Sequence, residues 1–267
     1  MTMNDSSTEN KTVLITGASS GIGAAFARVF ASNNFDTVLV ARRKDRLDSL
    51  ASELSRSYGN KNTILSADLN TPDAVESIYN RLNEMNISID ALVNNAGYAL
   101  PKPFMAGTWE EHSSMINLLV TVPTELCHRF APGMKERGEG WIINVSSIAA
   151  FAPEFPGSLY NAAKSFVLHM TEALDLELRP SNIKCLSLCP GLTSSEFHET
   201  MGVKEFLSYI PKWRWMDSDT VAKQGFDAVM KGEHIYINGR VNRALVNAFK
   251  VMPNKVKYFI GKKQIIL

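Results

Sequence analysis

Tyr160 and Lys164 stand four residues apart at the start of a long amphipathic stretch, so on a helix they share one face. A free phenol loses its proton near pH 10 (about), too high for efficient transfer at neutrality. Lowering that value by about three units takes roughly 4 kcal/mol of preferential stabilisation of the phenolate. A neighbouring ammonium together with a second positive charge can supply it. Taken alone, the pair is common and reads more often as a core tyrosine beside a solvated lysine. Context comes from Asn144-Val145-Ser146-Ser147, which ends an apolar run thirteen residues before Tyr160. That is the carboxyl edge of a strand, where ligands bind in open α/β sheets.

A second set of residues reads as a phosphate cradle. The β-branched run 12–16 enters Thr16-Gly17-Ala18-Ser19-Ser20-Gly21-Ile22-Gly23 and then a helical pattern. Gly17 can make the tight turn, Gly21 lets backbone approach a pyrophosphate, and Gly23 permits helix to pack on strand. The free N–H groups at the start of that helix, in a field of positive sign, would face the phosphates. The competing reading is an ordinary glycine-rich turn. Its position at the first strand–helix junction favours the cradle. At the end of the second strand, folds that take NAD place a carboxylate for the ribose 2′-hydroxyl. Here that place holds Ala41, followed by Arg42 and Arg43. A guanidinium binds a 2′-phosphate where a carboxylate repels it, so NADP(H) is the expected cofactor and Arg42 its expected contact. Arg43 either joins it or opens the solvated face of the next helix beside Asp45, Arg46 and Asp48.

These groups need elements to position them. Apolar runs at 12–16, 37–41, 63–66, 91–93, 141–145, 183–188 and 234–237 alternate with amphipathic stretches near 22–33, 43–57, 72–84, 109–136, 158–178 and 218–231. That rhythm predicts an α/β, Rossmann-type, doubly wound parallel sheet of seven strands with helices on both faces. The 267 residues, 45% apolar and 21% charged, suit one such domain over 12–238, with 1–11 a flexible lead-in and 239–267 a tail. With 28 basic against 27 acidic residues no global field draws nucleic acid. Three cysteines without metal-ligand spacing fit a reducing compartment, and no secretory signal or bilayer-length apolar run is visible, so a cytoplasmic location is expected. No metal ligand set is expected.

With Asn94-Asn95-Ala96-Gly97 after the fourth strand, Tyr160-Asn161-Ala162-Ala163-Lys164, and Pro190-Gly191 after the sixth, the chain closely resembles the short-chain dehydrogenase/reductase superfamily over about 12–237. It looks like an NADP(H)-preferring bacterial type with a basic amphipathic extension. The resemblance implies that Ser147 holds the substrate oxygen, Tyr160 gives or takes its proton, and Lys164 bonds the ribose hydroxyls and lowers the Tyr160 pKa. It implies that Asn117 anchors a water in a proton relay toward Lys164. Asp68 and Leu69 would meet the adenine; Asn94, Ala96 and Gly97 would lie along the ribose and the central sheet. Thr193 would offer its N–H to the carboxamide and Ser195 its hydroxyl, positions where the family pattern has an aliphatic residue and a threonine. For Asp68 the alternative is a cap on the helix after Pro72, a place Thr71 suits better.

The implied reaction is reduction of a ketone or aldehyde, bulky and hydrophobic or 3-oxoacyl-like. A lid over 192–217, with Phe197, Met201, Phe206, Tyr209, Trp213, Trp215 and Met216, is expected to cover the substrate, and Phe151, Phe155 and Leu159 to extend its wall. Two other readings stay open: an NADP(H)-binding regulatory module without turnover, and an isomerase or epimerase with tightly held cofactor. The resemblance also implies a homo-oligomer, dimer or tetramer, through the helices at 109–136 and 158–178. The tail carries Arg240, Arg243, Lys250, Lys255, Lys257, Lys262 and Lys263 among Leu245, Val246, Phe249, Val251, Phe259 and Ile260, broken by Pro253. Packing on its own or a neighbouring subunit is expected ahead of peripheral contact with a membrane.

Overall fold

The computed structural model describes residues 10–100, 102–153, 159–194, 196 and 211–263. Strands β1 (Thr12–Thr16), β2 (Asp36–Ala41), β3 (Asn62–Ser66), β4 (Ala91–Asn94), β5 (Gly140–Val145), β6 (Ile183–Cys189) and β9 (Ile235–Ile237) form one parallel sheet in the order β3-β2-β1-β4-β5-β6-β9. A small parallel pair, β7 (Thr193–Ser194) with β8 (Met216–Asp217), lies outside it and was not expected from the sequence. Around the large sheet run α1 (Gly21–Ser32), α2 (Lys44–Tyr58), α3 (Ala74–Glu84), α4 (Trp109–Ile116), α5 (Val122–Arg137), α6 (Leu159–Leu178) and α7 (Ser218–Lys231).

The apolar runs are strands because helices cover both of their faces. Along β1, Val13 and Ile15 point into one core with Phe26 and Phe30 of α1, Leu47 and Leu54 of α2, and Val221 and Phe226 of α7. Leu14, between them, points into the opposite core with Ile78 and Leu82 of α3 and with Leu126, Phe130 and Met134 of α5. Alternation along a doubly covered strand thus appears as an unbroken hydrophobic run. The chain leaves β1 in one direction to β2 and β3, then returns to place β4 on the other side of β1. The connections that leave the carboxyl ends of β1 and β4 therefore run in opposite directions, which makes a topological switch point, the place where open α/β sheets bind ligands.

Two expected elements differ. The stretch 109–136 is not one helix: α4 passes into a π-helical turn, Asn117–Thr121, before α5. Pro123 explains the change. It has no N–H to give and its ring would crowd the carbonyl four residues back, so the ladder widens and the Val122 N–H reaches the Asn117 carbonyl, five residues back. The helix after Pro72 begins only at Ala74, from Asp73 in the left-handed region (φ 57°), and neither Asp68 nor Thr71 caps it. Asp68 instead accepts the Asn70 N–H at 3.0 Å and its carbonyl accepts the Thr71 hydroxyl at 2.7 Å.

Beyond β9 the tail forms two helices, α8 (Arg240–Val251) and α9 (Asn254–Lys263), separated at Pro253. Asn242 and Val246 bury α8 against the domain. Among the described residues no helix is long and apolar enough to cross a membrane.

Candidate active site

The cradle has the backbone the glycines were read to allow. Gly17 (φ 67°) and Gly21 (φ 55°) both occupy the left-handed region that side chains avoid. A Cβ on Gly23 would sit 2.2 Å from the Gly17 carbonyl oxygen, so helix α1 reaches β1 this closely only with glycine there. Thr16 ties the two sides of the crevice: its hydroxyl accepts the Asn95 and Ala96 N–H groups, each at 3.0 Å, while Asn95 Nδ2 donates to the Thr16 carbonyl at 3.0 Å. Asn94 is buried beneath, donating to Asn144 Oδ1 at 2.8 Å and so joining β4 to β5. Gly97 leaves room for Leu119 and faces the Lys164 ammonium. Ile22 packs on the core, Leu69 is buried, and Asp68 is exposed.

Of the two arginines, Arg43 is the one aimed at the cradle. Its Nη2 donates to Ser19 Oγ at 3.0 Å and to Ser20 Oγ at 2.9 Å. Its Nη1 donates to the Glu196 carboxylate at 2.7 Å, and Arg46 bonds the same carboxylate. Those two guanidinium bonds hold the Glu196 carboxyl at about 2, well below the usual carboxylate range. Arg42 is exposed. Its charge opposes that of Glu111 and Asp68 at the Tyr98 phenol, which burial pushes up. The sequence left Arg43 open and carried no sign of Glu196, a partner 153 positions away.

Ser147, Tyr160 and Lys164 meet at the carboxyl end of β5. Ser147 caps the short 3-10 turn Ile148–Phe151, accepting the Ala149 N–H at 3.1 Å, and this turns its hydroxyl toward α6. The helix is pinned to the strand by Ser146 Oγ donating to the Lys164 carbonyl at 2.8 Å. Lys164 Nζ, buried, donates to the Val145 carbonyl at 2.8 Å and lies 5.6 Å from the centre of the Tyr160 ring. The Tyr160 hydroxyl is hydrogen-bonded to Ser147. Burial pushes the Tyr160 phenol up to about 12, against the pull of that bond, and burial pulls the Lys164 ammonium down to about 8. The protein groups alone thus keep the phenol protonated instead of bringing it toward neutrality. Lys164 directs its ammonium to the Val145 carbonyl, and loss of water is the largest cause of the shift in each group.

Around Tyr160, Met115, Leu119 and Ala163 form a third apolar cluster with Tyr98, Leu100, Val120 and Leu159. Asn117 opens the π-helical turn, with its amide donating to the Leu69 carbonyl (3.4 Å) and Asn70 Oδ1 (3.2 Å). The Pro190 carbonyl accepts the Ile148 N–H at 3.0 Å, fastening the Pro190-Gly191 turn to the Ser147 loop. Gly191 lies against Asn242 of α8, and Thr193 is buried with its hydroxyl donating to the Gly191 carbonyl at 3.1 Å. Ser195, Phe155 and most of the expected lid, including Phe197, Met201, Phe206 and Tyr209, lie outside the described residues. Of the rest, Trp213 is exposed and Met216 packs on the core.

Residues 11–205 match the short chain dehydrogenase family, a span that runs from the strand before the cradle past Tyr160 and Lys164. The chain is a short-chain dehydrogenase. It is 36% identical over 188 residues to sulfoacetaldehyde reductase 2 of Chromohalobacter salexigens, covering 69% of this chain and 73% of that one. It is 30% identical over 233 residues to serine 3-dehydrogenase of Agrobacterium fabrum, covering 85% and 91%. Its fold is similar to that of a short-chain dehydrogenase from Sphingobium yanoikuyae in complex with NADPH, with a TM-score of 0.80 and 35% identity, covering 91% and 96%. This short-chain dehydrogenase is therefore an oxidoreductase; its glycine turn lies at the switch point of the sheet, and the hydroxyl pair and the buried lysine lie at the carboxyl end of β5.

Proposed function

We propose that the enzyme reduces a ketone or aldehyde carbonyl with NADP(H), Tyr160 acting as the general acid. The observation that carries this reading is the Tyr160 hydroxyl, protonated by burial and bonded to Ser147, with the Lys164 ammonium beside its ring. Ser147 and Tyr160 both donate to the carbonyl oxygen and stabilise the negative charge that develops there. Tyr160 then passes its proton to the alkoxide, a far stronger base than a phenolate. Lys164 stabilises the phenolate left behind and bonds the ribose hydroxyls, and Asn117 anchors the water through which a proton returns. NADPH, when bound, supplies the hydride to the carbonyl carbon.

The residues fit that cofactor. The left-handed turn at Gly17 and Gly21, leading into the N-terminus of α1, suits a pyrophosphate, and Arg43 with Ser19 and Ser20 offers a fork of donors for a 2′-phosphate, with Arg42 beside it. Asp68 and Leu69 take the adenine side, Ala96 and Gly97 the ribose, and Pro190, Gly191 and Thr193 the nicotinamide side. The NADPH complex of the Sphingobium protein supports the same choice. The apolar cluster around Tyr160 favours a bulky hydrophobic carbonyl or a 3-oxoacyl compound. Cytoplasmic operation, where NADP is kept reduced, and a homo-oligomer assembled through the stretches 109–136 and 158–178, where Phe166 and Leu176 of α6 are exposed, belong to the same reading.

A panel of ketones, aldehydes, 3-oxoacyl thioesters and steroids, followed by NADPH absorbance, tests it. Turnover is expected with apolar carbonyls. NADPH binding without oxidation across the panel would favour the regulatory module.

A further inference from the structure

The end of β2 carries no carboxylate, yet one stands beside it in space. Ala41, Arg42 and Arg43 occupy the place where folds that take NAD present an acidic residue to the ribose 2′-hydroxyl. Glu196 reaches that place from the chain that follows β7. The pairing of β7 with β8 anchors its approach: Ser218 Oγ donates to the Ser194 carbonyl at 3.1 Å, and Asp217 caps α7 by accepting the Thr220 N–H at 2.6 Å. Two residues beyond that anchor, the Glu196 carboxylate accepts from Arg43 Nη1 at 2.7 Å and, through its other oxygen, from Arg46. The same Arg43 guanidinium bonds Ser19 and Ser20, so the carboxylate is tied to the turn that suits the pyrophosphate.

Charge and hydrogen-bond capacity say what this arrangement can take. A carboxylate has about four acceptor sites, and the two guanidinium bonds use one on each oxygen. The Glu196 side chain is 37% exposed, within reach of a ligand, and the two arginines keep it ionised across the working pH range. A ribose hydroxyl needs such an acceptor. A 2′-phosphate needs the guanidiniums instead, and would take the place of the carboxylate between them. We propose that Glu196 supplies in space the acidic residue that β2 lacks, accepting the ribose 2′-hydroxyl of NAD(H), so that the enzyme binds NAD(H) as well as NADP(H). With NAD(H) the Glu196 carboxylate stays on Arg43 and Arg46 and takes the hydroxyl as a further donor. With NADP(H) the phosphate displaces it from both arginines. Glu196 and Arg43 thus form one subsite with two occupants, and the balance between them sets the cofactor preference. The inference rests on the reading above that the 2′ position of the cofactor lies at Arg43.

The test is fluorescence titration of NADH and NADPH, with no carbonyl present, on the full chain and on its Glu196→Gln and Arg43→Ala variants. The parent should bind both cofactors saturably. Glu196→Gln keeps the size of the side chain and removes its charge, and it should move the two affinities in opposite directions. NADH binding should weaken by about fivefold or more, from loss of a charge-assisted bond, while NADPH binding tightens several-fold. A residue that only braced its loop would shift both affinities the same way, or neither. Unchanged or tighter NADH binding in that variant, a fall in both affinities together, or no saturable NADH binding in the parent would overturn the proposal. Arg43→Ala tells that failure from failure of the placement beneath it. Weaker NADPH binding keeps the 2′ position at Arg43, whereas unchanged NADPH binding would move it elsewhere and remove the subsite.

Discussion

Replacing Lys164 by methionine should abolish turnover and yet leave the folded protein no less stable at neutral pH. Burial pulls the ammonium from 10.5 in the unfolded chain to about 8 in the fold, a shift of about 2.5 units. At 1.36 kcal/mol per unit, carrying that charge inside the protein at pH 7 costs about 3.4 kcal/mol. Methionine fills nearly the same volume without charge, but strands the Val145 carbonyl that now accepts the ammonium at 2.8 Å, a loss of about 1 to 3 kcal/mol. The pH dependence separates the two effects. The folded-state pKa lies below the unfolded one, so between them the unfolded chain binds the extra proton and stability rises with pH. Below pH 7 both states are charged and the penalty is constant. From pH 7 to pH 10 the parent should gain about 2.5 kcal/mol from this group and the methionine variant nothing. Urea unfolding of both proteins at pH 7, 8, 9 and 10 reads the gap directly. Parallel curves would refute the argument, because they would mean that Lys164 carries its charge in the fold without penalty.

The same numbers predict the rate profile: reduction requires the Tyr160 proton, held to about 12, and the Lys164 charge, held only to about 8. Measured across pH, kcat/KM for the carbonyl should be level below about 8 and fall by one proton above it; a fall on the acid side instead would reassign the titrating group. Arg43→Ala should raise the KM for NADPH about tenfold or more and barely change that for NADH, consistent with loss of one charge-assisted fork. Arg42→Ala should have the smaller effect, and the reverse order would move the 2′-phosphate to Arg42. Glu196→Gln removes a carboxylate that shares Arg43 with the incoming phosphate, so the KM for NADPH should drop several-fold. A rise would show that Glu196 clamps the cofactor instead of competing with it.

The sheet was legible because strands covered on both faces read as apolar runs, and their ends differ from the structure by a residue at most. The cradle was legible because glycine is needed where φ is positive, as at Gly17 and Gly21, and where backbones touch, as at Gly23. The π-helical turn was not, since Leu118, Leu119 and Val120 continue the apolar pattern; Pro123 was the signal that an unbroken helix could not pass there. Which of two adjacent arginines faces the cradle depends on the turn between β2 and α2, and composition says nothing of it. Glu196 comes from a distant loop. In the tail, Phe259 and Ile260 were equally apolar letters, and only packing shows that Ile260 turns in while Phe259 turns out. The direction of the Tyr160 pKa also escaped the sequence, because it follows from burial of the hydroxyl, which no spacing reveals.

The most direct test of the central claim is Tyr160→Phe, which removes one oxygen and leaves the ring in its apolar cluster. NADPH titration by fluorescence and carbonyl-dependent NADPH oxidation should be measured on the same preparation. Binding of NADPH as in the parent, with oxidation lowered by about two to four orders of magnitude, is the predicted result. Undiminished oxidation would contradict the assignment of Tyr160 as the proton donor.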